Sequence, residues 1–279
     1  KLQAFQTGID ALAKLTSGKV HLSVKGKGKS IFKDVKGVSL HQVYGPHPAG
    51  NVGVQIGKIS PINAGERVWT VTPQDVATIG ELFLTGKFNA TRTVALVGSE
   101  VKDAQYYNVI SGASIADLVA GKIEGDNVRV ISGDVLTGTK VKMDGNLGFL
   151  SNTVTVIPEG NVYRMFGWMP FASPSVHSAS RTGLSWLMPG KKYAPNTNLN
   201  GEERALVVTG EMEAVMPLDI FPMQLLKACL ASDIDKMESL GIYEVAPEDF
   251  ALIDYTNTSK LEAQQIIREA LDLMIKEVG

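Results

Sequence analysis

The longest stretch free of charged side chains, Gly37–Gly57, contains five glycines, two prolines and two histidines. A membrane-spanning helix needs about 20 consecutive, predominantly apolar residues, so this stretch reads as loop and short strand instead. Apolar residues elsewhere recur in short periodic runs broken by glycine and proline, a pattern of alternating short strands and helices. With 44% hydrophobic and 20% charged side chains, the 279 residues have the composition of one or two folded domains. The 27 Lys and Arg against 29 Asp and Glu leave a net charge of -2 and no global basic field, which argues against nucleic acid as a partner. A single cysteine, Cys229, excludes an internal disulfide, a cysteine-built zinc site and a four-cysteine iron–sulfur cluster held by this chain alone.

The chain opens Lys1-Leu2-Gln3 with no apolar secretory core behind it, and its first element is a helix, so it reads as a fragment of a longer protein. In that helix Leu2, Phe5, Ile9, Leu12 and Leu15 recur at helical spacing up to Ser17-Gly18. Strands are expected at Lys19–Val24, Val38–Tyr44 and Glu66–Thr70. A helix should follow from Thr72 as N-cap, with Pro73 at its first position, Asp75 in its first turn and Gly86 as its stop. This order suggests part of a doubly wound α/β layer.

The texture changes near Thr91. Strands at Thr93–Val97 and Tyr106–Ile110 lead to a short helix capped by Ser114 with Asp117 as the reciprocal acid, and strands at Val128–Ile131 and Thr153–Ile157 follow. Strand, strand, helix, strand, strand fits a small grasp-like α+β module. Met165–Thr197, rich in proline and serine, reads as a long surface connection. Helices resume at Pro222–Leu230, Ile234–Leu240 and Leu261–Glu277. The last should carry a Ser259/Glu262 capping box and an apolar stripe of Ala263, Ile267, Ala270, Leu271, Met274 and Val278.

The segment Lys25–Ser30 ends in Gly28-Lys29-Ser30 after a strand, yet Ser23 occupies the place of the first P-loop glycine and Ile31 that of the last dinucleotide-motif glycine. It reads as a solvated basic loop, with Lys25, Lys27, Lys29, Lys33 and Lys36 able to lie near anionic headgroups. His21, His41, His47 and His177 show no metal-ligand spacing, no G-x-S-x-G elbow occurs, and Cys229 sits mid-helix among leucines, so no catalytic residue and no metal site are assigned. The loop Gly45-Pro46-His47-Pro48-Ala49-Gly50-Asn51-Val52-Gly53 stands apart. It follows a strand directly, where open α/β sheets meet ligands. Its prolines stiffen it and its glycines permit close approach of another backbone.

GPHPAGNVG at Gly45–Gly53 is followed by VTPQDVATIGELFLTGKF at Val71–Phe88, ISGASIADLVAG at Ile110–Gly121, VRVISGDVLTGTK at Val128–Lys140 and TVIPEG at Thr155–Gly160. VMPLDIFPMQLLKACLASDIDKMESLGIYEVAPEDFAL at Val215–Leu252 completes the series. In order and spacing, over nearly the whole chain, this resembles the A-subunit family of sodium-translocating NADH:quinone reductases. The related C subunit of the Rnf complex is less similar, because its cysteine clusters have no counterpart here. Departure from the family pattern is confined to Ile253–Lys260.

The resemblance implies that residues 1–98 are the later part of a Rossmann-like α/β domain and 99–162 a soluble-ligand-binding β-grasp domain. Residues 163–279 would then be a connecting segment and C-terminal helical region, and earlier segments of the full protein would be missing. It further implies a peripheral subunit on the cytoplasmic face of the bacterial inner membrane, in a complex that oxidises NADH, reduces quinone and exports sodium. Quinone and NADH would be substrates of the complex, with no flavin or iron–sulfur cofactor on this chain. Its partners would be the other subunits, above all the membrane quinone subunit, together with quinone and the membrane surface. Quinone or partner contact is assigned to Gly45, Pro46, His47, Pro48, Ala49, Gly50 and Gly53. A free-standing module that holds a soluble ligand is the alternative.

Overall fold

The computed structural model describes residues 1–162, 176–181, 183–208 and 210–278. Two compact units emerge, Lys1–Thr91 with the short segment Tyr243–Val245, and Arg92–Ile242 with Ala246–Gly279. Of the expected connection Met165–Thr197, residues 165–175 and 182 lie outside the described ones.

The first unit contains helix α1 (Leu2–Leu12), strands β1 (His21–Lys25) and β2 (Ser39–Val43), and helices α2 (Val52–Ile59) and α3 (Pro73–Thr85). Helix α1 buries Phe5, Gly8 and Ile9, and α3 buries Val76 and Gly80. The two cross with backbones touching. A Cβ on Gly8 would lie 2.0 Å from the Val76 carbonyl oxygen, and one on Gly80 1.7 Å from that of Ala4. Leu12, Val20, Leu22, Phe32, Val35 and Val38 pack around this crossing, with the Phe5 and Phe32 rings 4.7 Å apart. Strands β1 and β2 run parallel, from His21 opposite Ser39 to Lys25 opposite Val43. The α3 start is as expected: Thr72 Oγ1 accepts from the Asp75 N–H, Pro73 opens the helix, and Gly86 closes it at φ 70°.

Three expectations fail here. Helix α1 stops at Leu12, and Leu15 is 82% exposed despite its helical spacing, because the backbone tightens into three-residue turns at Lys14 and Leu15. Glu66–Thr70 is not a strand. It follows a turn in which the Asn63 and Glu66 backbones bond each other, and Trp69 is 89% exposed. β-prone residues without a partner strand make no ladder. Conversely, Val52–Ile59 is helical although Gly53 and Gly57 read as loop. Burial of Val54 outweighs a helix penalty of about 1 kcal/mol per glycine.

The second unit is built on a mixed five-stranded sheet. Its strands are β3 (Thr91–Val97), β4 (Gln105–Ile110), β5 (Val128–Ser132), β6 (Thr139–Val141) and β7 (Thr153–Pro158), in the order β4-β3-β7-β5-β6. The central pair β3 and β7 is parallel, while β5 is antiparallel to both β7 and β6. Helix α4 (Ile115–Val119) inserts Ile115, Leu118 and Val119 into a core with Val94, Leu96, Val130, Leu147, Val154 and Val156. Ser114 Oγ accepts from the Asp117 N–H, which is the serine half of the expected cap. Strand β6 was not expected, since three residues among glycine turns carry no periodicity and only pairing with β5 defines them.

Helices α5 (Pro222–Leu230), α6 (Ile234–Ser239), α7 (Ala251–Thr256) and α8 (Ala263–Glu277) bury Leu225, Leu226, Met237, Ile253 and Ile267 completely. The α8 stripe holds at Ala263, Ile267, Ala270 and Met274, while Val278 is 51% exposed. The Ser259/Glu262 capping box does not form. Ser259 instead donates to the Ala205 carbonyl, and Asp254 Oδ1 accepts the N–H groups of Ala263 and Gln264. A carboxylate from the preceding helix thus does the work assigned to the adjacent serine. Among the described residues, no helix is long and apolar enough to cross a membrane.

Candidate functional site

Because β1 and β2 are parallel, their carboxyl ends share one edge, and the two sequence segments that stood out emerge there side by side. The Gly26 N–H bonds the Val43 carbonyl, and the Tyr44 hydroxyl donates to Gln42 Oε1 at 2.7 Å and lies 3.4 Å from the Gly26 carbonyl. The Tyr44 ring covers Gly26 so closely that any Cβ there would meet ring carbons at 2.1 Å. Gly26 thus lies beneath an aromatic ring that is itself 59% exposed.

The loop after β2 turns at Gly45, whose φ of 126° suits glycine. Pro46 and exposed His47 follow, His47 and Pro48 being joined by a cis peptide. The loop closes on itself through Ala49 N–H to the Pro46 carbonyl and Asn51 N–H to the Pro48 carbonyl. The Gln55 amide reaches back to the Gly50 carbonyl at 3.1 Å, which ties the loop to α2. Gly50 has an ordinary φ and open space around it. Gly53 lies not in the loop but in the first turn of α2. The candidate residues Gly45, Pro46, His47, Pro48, Ala49 and Gly50 thus form one continuous surface, with Gly53 behind it on the helix.

Sequence spacing could not reveal that β1 and β2 bring two histidines together. His21 Nδ1 and His41 Nε2 are 2.9 Å apart with their rings nearly parallel. In the second unit His177 stacks on Tyr255, lies edge-on to Tyr193, and is 3.2 Å from the Tyr255 hydroxyl. Among the described residues, no group of three or more His, Cys, Asp or Glu is placed to hold a metal.

The perturbed acids are structural. Glu159 accepts bonds from Arg129, Lys140 and Thr197, and the Arg129 guanidinium above all holds its carboxyl down at about 2. Burial raises Asp254 and Asp249, yet each carboxylate serves a helix start: Asp254, in α7, accepts the N–H groups of Ala263 and Gln264 at the start of α8, and Asp249 accepts the Ala246 N–H before the turn at Pro247–Phe250. Cys229 is buried in α5, and burial pushes its thiol up to about 11, which removes it as a nucleophile at neutral pH. The divergent segment Ile253–Lys260 also has a scaffold role. Asn257 bonds the Ile253 and Leu261 carbonyls and accepts from the Leu261 N–H, and Glu211 accepts from both the backbone and hydroxyl of Thr258.

Two family profiles match this chain: "NqrA second alpha/beta domain" over residues 1–88 and "NQRA C-terminal domain" over residues 93–143. Among curated proteins, the chain is 39% identical over 279 residues to the A subunit of the Na(+)-translocating NADH-quinone reductase of Serratia proteamaculans strain 568, covering 99% of this chain and 62% of that protein. The corresponding A subunits of Klebsiella pneumoniae strain 342 and Neisseria meningitidis serogroup B are 38% and 36% identical over 275 and 274 residues. Each of these covers 98% of this chain and 61% of the relative. The chain therefore spans about three fifths of the length of the curated relatives it matches.

Proposed function

The chain is a homologue of the A subunits of the Na(+)-translocating NADH-quinone reductases along nearly all of its own length, and from that premise we propose that it serves as a peripheral subunit of such a complex. The observation that carries this is 36–39% identity sustained over 98–99% of the chain. The complex would oxidise NADH, reduce quinone and export sodium from the cytoplasmic face of the bacterial inner membrane. This chain would supply quinone contact and assembly with the membrane quinone subunit rather than a redox group of its own. A single cysteine fits that division of labour, since protein iron–sulfur clusters are held by at least two cysteine thiolates.

We extend the reading to fold and site. Parallel β1 and β2 with flanking helices support a Rossmann-like first domain, and a mixed sheet with a parallel central pair and one inserted helix supports a β-grasp second domain. The loop Gly45–Gly50 with Gly53 is the surface we assign to quinone or partner contact, because it is closed by its own hydrogen bonds and presents His47 to solvent. A pre-ordered loop loses little entropy on docking.

The test pairs stability with function. His47 is exposed, so His47→Ala should leave the melting temperature of the chain within a degree or so, as surface changes of under about 0.5 kcal/mol do. In a complex rebuilt with the substituted full-length protein, quinone-reductase activity or subunit content should fall. Normal activity and assembly would remove the loop from function, and failure of even the unsubstituted protein to assemble would remove the subunit reading itself.

A further inference from the structure

The net charge of -2 conceals a division. Residues 1–91 carry ten lysines and one arginine against five acids, Asp10, Asp34, Glu66, Asp75 and Glu81, a formal charge of +6. The remaining residues hold the other 16 of 27 cations and 24 of 29 acids, a formal charge of -8. Charge asymmetry of this size along a chain points to an anionic partner for its basic part.

Five of those lysines lie at one place. Lys25, Lys27, Lys29, Lys33 and Lys36 are all exposed on the segment leaving the carboxyl end of β1, where Asp34 is the sole acid. Among the described residues, none of the five has a carboxylate within 4.0 Å. The segment is folded rather than loose: Gly28 turns at φ 113°, Lys33 Nζ donates to its carbonyl, and Ser30 caps a short 3-10 turn at Ile31–Asp34. That turn sets Ile31, 65% exposed, among the lysines. Tyr44, 59% exposed, stands beside them over Gly26.

We propose that this strand-end edge, Lys25, Lys27, Lys29 and Lys33 with Ile31 and Tyr44, docks the chain on the anionic phospholipid headgroups of a bilayer. Charge complementarity sets the sign of the partner. The residue types choose lipid over an acidic protein or a bound phosphate. Recognition of a fixed carboxylate or phosphate favours the rigid, bidentate fork of arginine, whereas this edge offers only lysines, hydrated point charges on flexible stems suited to a diffuse array. The exposed aliphatic and phenolic side chains among them match the boundary between headgroup and acyl chain. The proposal deepens the membrane-complex reading by naming the surface and the lipid class, and it does not require the quinone site.

The experiment is co-sedimentation of the chain with vesicles of phosphatidylcholine alone and of phosphatidylcholine mixed with phosphatidylglycerol, at low and at physiological salt. Binding to the mixed vesicles only, weakening with salt, is expected. Lys25→Gln, Lys27→Gln, Lys29→Gln and Lys33→Gln should each lower the partition coefficient by about fivefold, the effect of one lysine at an anionic surface. Ile31→Asn should lower it further. Lys14→Gln with Lys19→Gln, which removes charge near the amino end of β1, serves as the control and should bind nearly as the unsubstituted chain does. Circular dichroism verifies folding of every variant. Absence of binding to mixed vesicles, equal binding to neutral ones, binding to polyglutamate alone, or equal loss in edge and control variants would each overturn the proposal. Assembly of the rebuilt complex is read separately: assembly without vesicle binding overturns the lipid surface alone, and vesicle binding without assembly overturns the subunit reading alone.

Discussion

Glu159, at the end of β7, gathers Arg129 from β5, Lys140 from β6 and the Thr197 hydroxyl onto one carboxylate that is 13% exposed. Each partner bonds the ionised form, so the carboxyl is held at about 2 instead of 4.5. A group that binds its proton less readily when folded stabilises the fold fully above about 4.5, and that contribution disappears as pH falls toward 2. Glu159→Gln should cost about 1–2 kcal/mol at neutral pH, the range for charged hydrogen bonds at a partly solvated site. Denaturation midpoints taken against pH should show the variant losing less stability than the parent chain between 4.5 and 2. Parallel profiles would mean that the cluster does not stabilise the fold. None of its geometry was legible beforehand, because 30 residues of chain separate Glu159 from Arg129 and pairing of β5 with β7 brings them together. The α8 start shows the same limit: the spacing of Ser259 and Glu262 satisfied the capping rule, yet Asp254 was already in place.

At the scale of elements, α3 shows what local signals can do. Its cap, its first proline and its terminal glycine act within one turn of the helix ends, so residues 72–86 specify the helix without reference to the rest. The glycines inside the helices are another matter. Gly8 and Gly80 look like local weaknesses, but they permit the α1–α3 crossing, in which each meets a backbone carbonyl of the other helix. Gly80→Ala raises helix propensity and should nonetheless destabilise the first unit by about 2–3 kcal/mol, since the obstacle is backbone and the helices must separate. A gain in thermal stability would show that the helices are not in backbone contact.

For the whole molecule, the two compact units have separate cores, one around Phe5, Ile9 and Val76 and the other including Val94, Leu96 and Ile115. Calorimetry should therefore resolve two responses. Gly80→Ala should lower the transition of the first unit alone, and Ile267→Ala, which empties a fully buried site in α8, should lower that of the second by about 2–4 kcal/mol. The double variant should show the two effects summed, as distant sites do. A single transition that moves with either substitution would mean that the units unfold as one. The charge of +6 on residues 1–91 and -8 on the rest belongs to this scale too, because a net charge averages over both and hides a basic surface.

By itself the amino-acid sequence determined what depends on neighbours within a few residues. That includes the α3 caps, the β3, β4, β5 and β7 segments, the α8 stripe from Ala263 to Met274, the absence of a spanning helix among the described residues, and, through the order of its motifs, the similarity to the reductase A subunits. Tertiary structure alone decided what depends on residues far apart in the chain. It denied Glu66–Thr70 a partner strand, gave Thr139–Val141 one, folded the glycine-bearing Val52–Ile59 into a helix, and set His21 against His41. It also brought the lysine-rich segment and the Gly45 loop to the same edge, through a parallel pairing of two strands. The physical reason is range: caps and periodicity act over one or two turns, whereas ladders, close crossings and ion clusters exist only after the chain has closed on itself.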